Sequence, residues 1–188
     1  MLARENPFAS AHVLQERYRF DEAAWANLEE KLRRLRGRGA LVGPKGFGKT
    51  TLLEDLAARL RRQGYRTTII RLSEEAPRLP AKFDAGFFRK LGEIDAVFLD
   101  GAEQLSLLGW LGFKRRTRHA GAVIVTTHRE GRFPVLHRCQ TSPALLQELV
   151  SSLGEKLSYE AARALHARHR GNIREALRSL YDVYAEKI

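Results

Sequence analysis

A single cysteine, Cys139, leaves the chain without an internal disulfide, and nothing near it has zinc-ligand spacing. It reads as a small apolar strand residue. No run of eighteen apolar residues occurs, so no membrane-spanning helix is expected. The opening Met1–Pro7 stretch lacks the apolar core of a secretory signal. These absences support the expectation of a soluble, cytoplasmic protein with no membrane partner. Acidic residues are also scarce: 22 Asp and Glu face 33 Lys and Arg, giving a net charge of +11. Such a surplus draws a protein toward polyanions, with DNA the leading partner. Along the sequence, however, arginine is spread throughout and not gathered in one patch.

What is present is led by Gly43-Pro44-Lys45-Gly46-Phe47-Gly48-Lys49-Thr50, a complete G-x-x-x-x-G-K-T phosphate-binding loop between a short apolar run and a helical pattern. Glycines let backbone N–H groups close around phosphates, Lys49 reaches the β- and γ-phosphates, and the Thr50 hydroxyl ligates Mg²⁺. Thr51 follows at the start of a helix, expected over 51–62, whose positive end faces the anion. ATP and Mg²⁺ are the implied ligands.

Around this loop, apolar strands and helical patterns alternate. Residues 21–36 carry helical spacing with Asp21 as cap and Gly37 and Gly39 as stops. Strands are expected at 40–42, 65–72, 94–99, 122–126 and 134–139, the fourth central and the fifth at an edge. Short helical patterns fall at 84–91, and a longer one at 103–119. Beyond Thr141 the strands cease and three helices follow, over 142–153, 158–170 and 172–186, with Gly154 and Gly171 as breaks. The expectation is an α/β fold: a three-layer P-loop NTPase sheet of about five parallel strands in residues 1–141, with a small helical lid in 142–188. With 188 residues, 44% of them hydrophobic, the chain can bury one sizeable core and a small appended subdomain.

In such a sheet the site lies at the carboxyl ends of the strands, where Gly43, Asp100 and Thr126 converge. Asp100 ends an apolar strand, the placement that delivers a carboxylate to the Mg²⁺ held by Thr50. Position 101 is Gly, where a catalytic acid would follow, so the nearest candidate base is Glu103. The alternative for Glu103 is a helix-terminal acid favoured by the dipole. Thr126 and Thr127, with His128 beside them, end the fourth strand at the depth of a γ-phosphate or its water.

Together, the loop 43–50, Asp100, Thr126 or Thr127, and Gly171-Asn172-Ile173-Arg174-Glu175-Ala176-Leu177 resemble the AAA+ ATPases. The resemblance runs from Asn6 to the C-terminus, and its compact lid and early Asn6-Pro7-Phe8 look most like initiator and transposition-helper members, which act on DNA. It implies that Arg174 points back to the γ-phosphate and that an arginine supplied in trans by a homo-oligomer completes the site. Arg132 is the first candidate for that finger and Arg129 the second. Two departures stand out: Gly101, and a 127–134 stretch too short for a helix. Asp100-Gly101-Ala102-Glu103-Gln104 is in turn similar to the D-G-x-D-E pattern of STAND signalling NTPases, which would make the chain a slow nucleotide switch.

The leading functional reading is therefore an ATP-driven switch or motor acting on DNA with a protein partner. A small-molecule kinase is opposed by Asp100 and the Arg174 lid, a GTPase by the lack of N-K-x-D after the fourth strand, and an ABC ATPase by the lack of L-S-G-G-Q. Residues 114–119, Lys-Arg-Arg-Thr-Arg-His, form the densest basic cluster and a candidate phosphate-contacting surface. His166 and His169 read as surface histidines, and Trp25 and Trp110 as core or interface aromatics.

Overall fold

The computed structural model describes residues 6–13 and 15–186. The Met1–Glu5 part of the opening stretch lies outside the described residues. The described residues form two units: one takes those up to Arg17 together with Pro44–Gly48 and Cys139 onward, the other Tyr18–Gly43 and Lys49–Arg138.

The second unit holds a five-stranded sheet in the order β2-β3-β4-β1-β5, every pairing parallel. Its strands are β1 (Arg38–Val42), β2 (Arg66–Arg71), β3 (Asp95–Asp100), β4 (Ala122–Thr127) and β5 (Val135–Arg138). Parallel strands require crossovers: α3 (Lys49–Arg62) links β1 to β2, α4 (Ala85–Arg89) β2 to β3 and α5 (Leu107–Arg116) β3 to β4, while α2 (Glu22–Arg34) leads into β1. All six β4 residues are buried and β4 is the middle strand, while β5 is an edge, as its shorter and less apolar sequence implies. Strand alternation sends Ala40, Val42, Val97, Leu99, Val123 and Val125 to one face, packed with Phe88 of α4 and Trp110 and Phe113 of α5. The intervening Leu41, Phe98 and Ile124 point to the opposite face, toward fully buried Leu52, Leu53 and Leu56 of α3.

Several expected bounds move for identifiable reasons. The helix expected at 103–119 is two elements. A 3₁₀ turn spans Ala102–Gln104, Leu105 is extended, and Ser106 starts α5 afresh by accepting from the Gly109 N–H. Gly39 is not a stop but lies in β1, where a Cβ would stand 2.7 Å from Leu136 Cβ. The turn is made instead by Arg36 and Gly37, both at positive φ. The loop helix begins at Lys49, two residues early. Cys139 is buried but one residue past β5, not within a strand. Asp21 caps α2 as expected, accepting from the Ala24 N–H. Trp25 and Trp110 are both buried.

The first unit packs α6 (Pro143–Ser152), α7 (Tyr159–Arg168) and α8 (Ile173–Glu186) with the short α1 (Ser10–Val13) and the segment before it. Its core joins Phe8 to Leu146, Val150, Ile173, Ala176 and Leu177, and Asn6 Nδ2 donates to the Tyr181 carbonyl. His166 and His169 are half-buried, with Nε2 of each within 3.0 and 2.9 Å of the Thr141 and Ser179 hydroxyls, so these histidines are partnered. Among the described residues no helix is long and apolar enough to cross a membrane.

On β5, His137 faces Tyr18, whose hydroxyl is 3.2 Å from Nε2, and meets the Phe20 ring edge-on. Burial, and then Lys31, hold its pKa below the ordinary histidine value. The folded state thus binds this proton less readily than the unfolded chain, and His137 favours folding fully above pH ~6.5 and progressively less as pH falls. Thermal melting is expected to drop between pH 7.5 and 5.5, and the drop to shrink in His137→Gln.

Candidate functional site

Three elements of the second unit bring their ends together around Asp100. The Thr50 hydroxyl, on the first turn of α3, donates to Asp100 Oδ2 at 3.0 Å. From β4, the Thr126 hydroxyl donates to Asp100 Oδ1 at 2.6 Å and accepts from the Gly101 N–H at 2.8 Å. Asp100 therefore has one oxygen on each threonine. Lys49 is buried and its Nζ donates to the Gly43 carbonyl at 2.7 Å, closing the two ends of the loop on each other.

Backbone geometry in the loop matches the anion-binding form. Gly46 and Gly48 sit at φ 81° and 78°, the left-handed conformation that turns successive N–H groups inward. In the first unit the loop residues 44–48 meet the turn before α8. A Cβ on Gly46 would lie 1.8 Å from Asn172 Oδ1, and one on Gly171 2.8 Å from the Phe47 ring. Asn172 Oδ1 also accepts from the Glu175 N–H, capping the helix whose second residue is the exposed Arg174. Pro44 and Lys45 are exposed, and Thr51 is half-buried on α3.

Gly101 explains why no acid follows Asp100. Its φ is 84°, and a Cβ there would stand 2.6 Å from the Leu72 carbonyl oxygen. The carboxylate comes instead from Glu103 in the following 3₁₀ turn. Its Oε1 lies 3.3 Å from His128 Nε2, while Oε2 is buried with no hydrogen-bond partner among the described residues. An orphaned carboxylate oxygen beside a Thr–Asp pair is a chemically competent proton acceptor. Thr127 is turned away, donating to the Arg129 carbonyl at 2.9 Å. Glu103, Thr127 and His128 line a cleft of about 430 Å³ with Arg129, Glu130, Gly131 and Arg132.

Arg132 is committed within its own unit: Nη2 donates to the Leu105 carbonyl at 2.6 Å, and its guanidinium lies over Trp110. Arg129 is exposed at the cleft. The residues fit Mg²⁺ with a nucleotide triphosphate: a hydroxyl and a carboxylate for the metal, a lysine and inward N–H groups for phosphates. Sequence reasoning missed the Glu103–His128 contact and the Asn172 approach to Gly46. For the first, only the adjacency of Thr127 and His128 gave a signal; the second has none short of the folded structure.

The fold is the five-stranded parallel α/β arrangement seen in P-loop NTPases of AAA+-like form. Two solved structures share it: replication initiator DnaA bound to AMPPCP and single-stranded DNA, with a TM-score of 0.60 at 15% identity over 88% of this chain and 61% of that one; and AMPPCP-bound DnaA from Aquifex aeolicus, with a TM-score of 0.54 at 16% identity over 79% and 56%. The chain thus spans about three fifths of the length of the structures it matches. No family profile matches it, and no curated protein does.

Because Thr126 serves Asp100 and Gly101 at once, Thr126→Val would leave a backbone N–H unpaired and free one carboxylate oxygen. Its expected cost is about 1–3 kcal/mol in chemical denaturation, against a near-neutral Thr126→Ser.

Proposed function

We propose that this chain binds Mg-ATP and uses its binding and hydrolysis as a switch or motor of the AAA+ type, acting on DNA with a protein partner. The observation that carries the nucleotide reading is the Thr50–Asp100 pair at 3.0 Å behind a loop whose lysine is buried among its own backbone. The two neighbours of like fold were solved with AMPPCP, and one with single-stranded DNA, which supports both halves of the reading.

Thr50 and Asp100 would hold the metal, which when bound neutralises charge on the phosphates. Residues 43–51 orient the triphosphate through backbone N–H groups and Lys49. Glu103 takes a proton from the attacking water at Oε2, and His128 fixes the other oxygen of the same carboxylate. Thr126 acts indirectly, by holding Asp100, and Thr127 bounds the cleft where the water is placed. Arg174, the second residue of α8 and two positions after Asn172, is the lid residue that senses the γ-phosphate. For the arginine in trans, the geometry favours Arg129 over Arg132, whose guanidinium is already engaged.

A second reading, a slow nucleotide switch of the STAND kind, draws on Gly101: the position beside Asp100 admits no side chain, and Glu103 is partly occupied by His128. Turnover separates the two. Lys49→Ala should abolish ATP binding in calorimetry, whereas Glu103→Gln should bind normally and lose about 10²-fold or more in turnover. Wild-type turnover in Glu103→Gln would move the base elsewhere. Under the trans-arginine reading, sedimentation with an ATP analogue shows self-association; a monomer at all micromolar concentrations would refute it.

A further inference from the structure

The net charge is concentrated, not spread. Four helix-to-strand turns of the second unit, residues 30–38, 61–66, 89–95 and 114–121, hold fourteen Lys and Arg against three acids, Glu30, Glu93 and Asp95. Their surplus of 11 equals that of the whole chain, leaving 19 of the 33 basic and 19 of the 22 acidic residues for everything else.

Parallel topology gathers these four segments at one edge of the sheet, and hydrogen bonds show them touching in sheet order. Arg38 donates to the carbonyls of Arg118, Ala120 and Gly121 at 3.1, 2.7 and 3.3 Å. Gly121 N–H donates to the Gly92 carbonyl at 3.1 Å, and the Arg66 N–H to Ile94 at 2.8 Å. The charge is thus one surface assembled from four distant stretches. Cations favour helix C-termini, which accounts for some of them, but Arg36, Arg66 and Arg118 lie beyond the helix ends. Internal pairing absorbs few: Glu30 meets Arg33 and Arg34, and Asp95 meets Arg66.

We infer that this basic edge of the second unit is a docking surface for the phosphate backbone of double-stranded DNA, at the end of the sheet opposite Thr50 and Asp100. It takes from the reading above only the choice of DNA as partner. A six-residue strand sets the two ends about 20 Å apart, so nucleotide and DNA do not compete for one site. Eleven of the fourteen cations are arginine, whose planar fork pairs with two phosphate oxygens at once. Among the described residues the four segments hold one aromatic, Tyr65, half-buried beside Gly121, so there is no platform for stacking unpaired bases. They hold one exposed large apolar side chain, Ile94, too little to seat in a lipid interface. Cations without base-reading groups contact backbone and leave sequence unread.

The test is fluorescence anisotropy of a labelled random-sequence DNA duplex between about 50 and 200 mM salt. Arg36, Arg62 and Arg115 are all exposed. Replacing all three by Gln should lower the log–log salt slope by about 0.9 per lost contact and weaken affinity roughly tenfold or more. Removing the same charge elsewhere, with Arg78→Gln, Lys82→Gln and Arg163→Gln, should leave the slope near wild type. Arg→Lys at 36, 62 and 115 should restore most of the binding, which guards against a folding defect. Equal losses in both Gln triples would overturn the location while leaving DNA as the partner. No duplex binding by the wild-type chain would overturn the surface, and only if single-stranded DNA also fails to bind would the DNA part of the proposed function fall, with the nucleotide part untouched. Tighter binding to phosphatidylserine-containing vesicles than to duplex, lost in the 36/62/115 Gln triple, would reassign the surface to membranes.

Discussion

One carboxylate organises the centre of the second unit. Asp100 receives a hydroxyl from α3 through Thr50 and another from β4 through Thr126, so the start of the loop helix and two adjacent strands are fixed to the same two oxygens. A half-buried carboxylate left unpartnered would be costly, and both threonines offset that cost while leaving lone pairs for a cation. The two threonines differ in consequence. Thr50 is on the helix, half-exposed, and can yield its oxygen to a metal; Thr126 is 1% exposed, carries the Gly101 N–H besides, and cannot move without breaking two bonds. Asp100 is thereby rigid on one side and adaptable on the other.

From this rigidity follows the displaced carboxylate. With Gly101 held by Thr126 and pressed to within Cβ distance of the Leu72 carbonyl, the chain turns left-handed immediately after Asp100. A residue with a side chain cannot adopt that turn cheaply, so the next carboxylate arrives two positions later. The 3₁₀ turn compensates by swinging Glu103 back toward the end of β4, where His128 meets it. With no side chain at position 101, the nearest following carboxylate is Glu103, which reaches His128 at the end of β4.

Much of this was legible in the sequence, for reasons that differ element by element. The apolar runs closing on Asp100 and Thr126 could only be buried strands, and parallel pairing then forced both residues to the same edge. The misread helix at 103–119 shows the limit: Leu105 and Ser106 look helical by hydropathy, and only the Ser106 cap reveals the break. Gly39 was misread because glycine marks both turns and close approaches, and the Leu136 side chain decides between them. Of the basic edge only the 114–119 cluster could be read. Its four segments are separated by up to about eighty positions, and nothing but the strand order brings them together.

That same strand order accounts for why phosphate-seeking groups occur at both ends of one sheet in opposite forms. A parallel β/α unit points every crossover helix the same way, so helix N-termini collect at the edge of Asp100 and helix C-termini at the other. At the N-terminal ends backbone N–H groups and the dipole attract an anion with Lys49 as the one cationic side chain at the start of α3, which suits a small anion gripped by glycines. At the C-terminal ends the dipole stabilises cations, so arginines accumulate there with less mutual repulsion than the bare count implies. The fold itself therefore makes one end a compact loop of inward N–H groups suited to a small anion and the other a broad cationic face. A signal between them would have to travel the length of the strands, through the Asp100–Thr126 bond on β3 and β4 and out through the turns that follow α4 and α5 at their far ends.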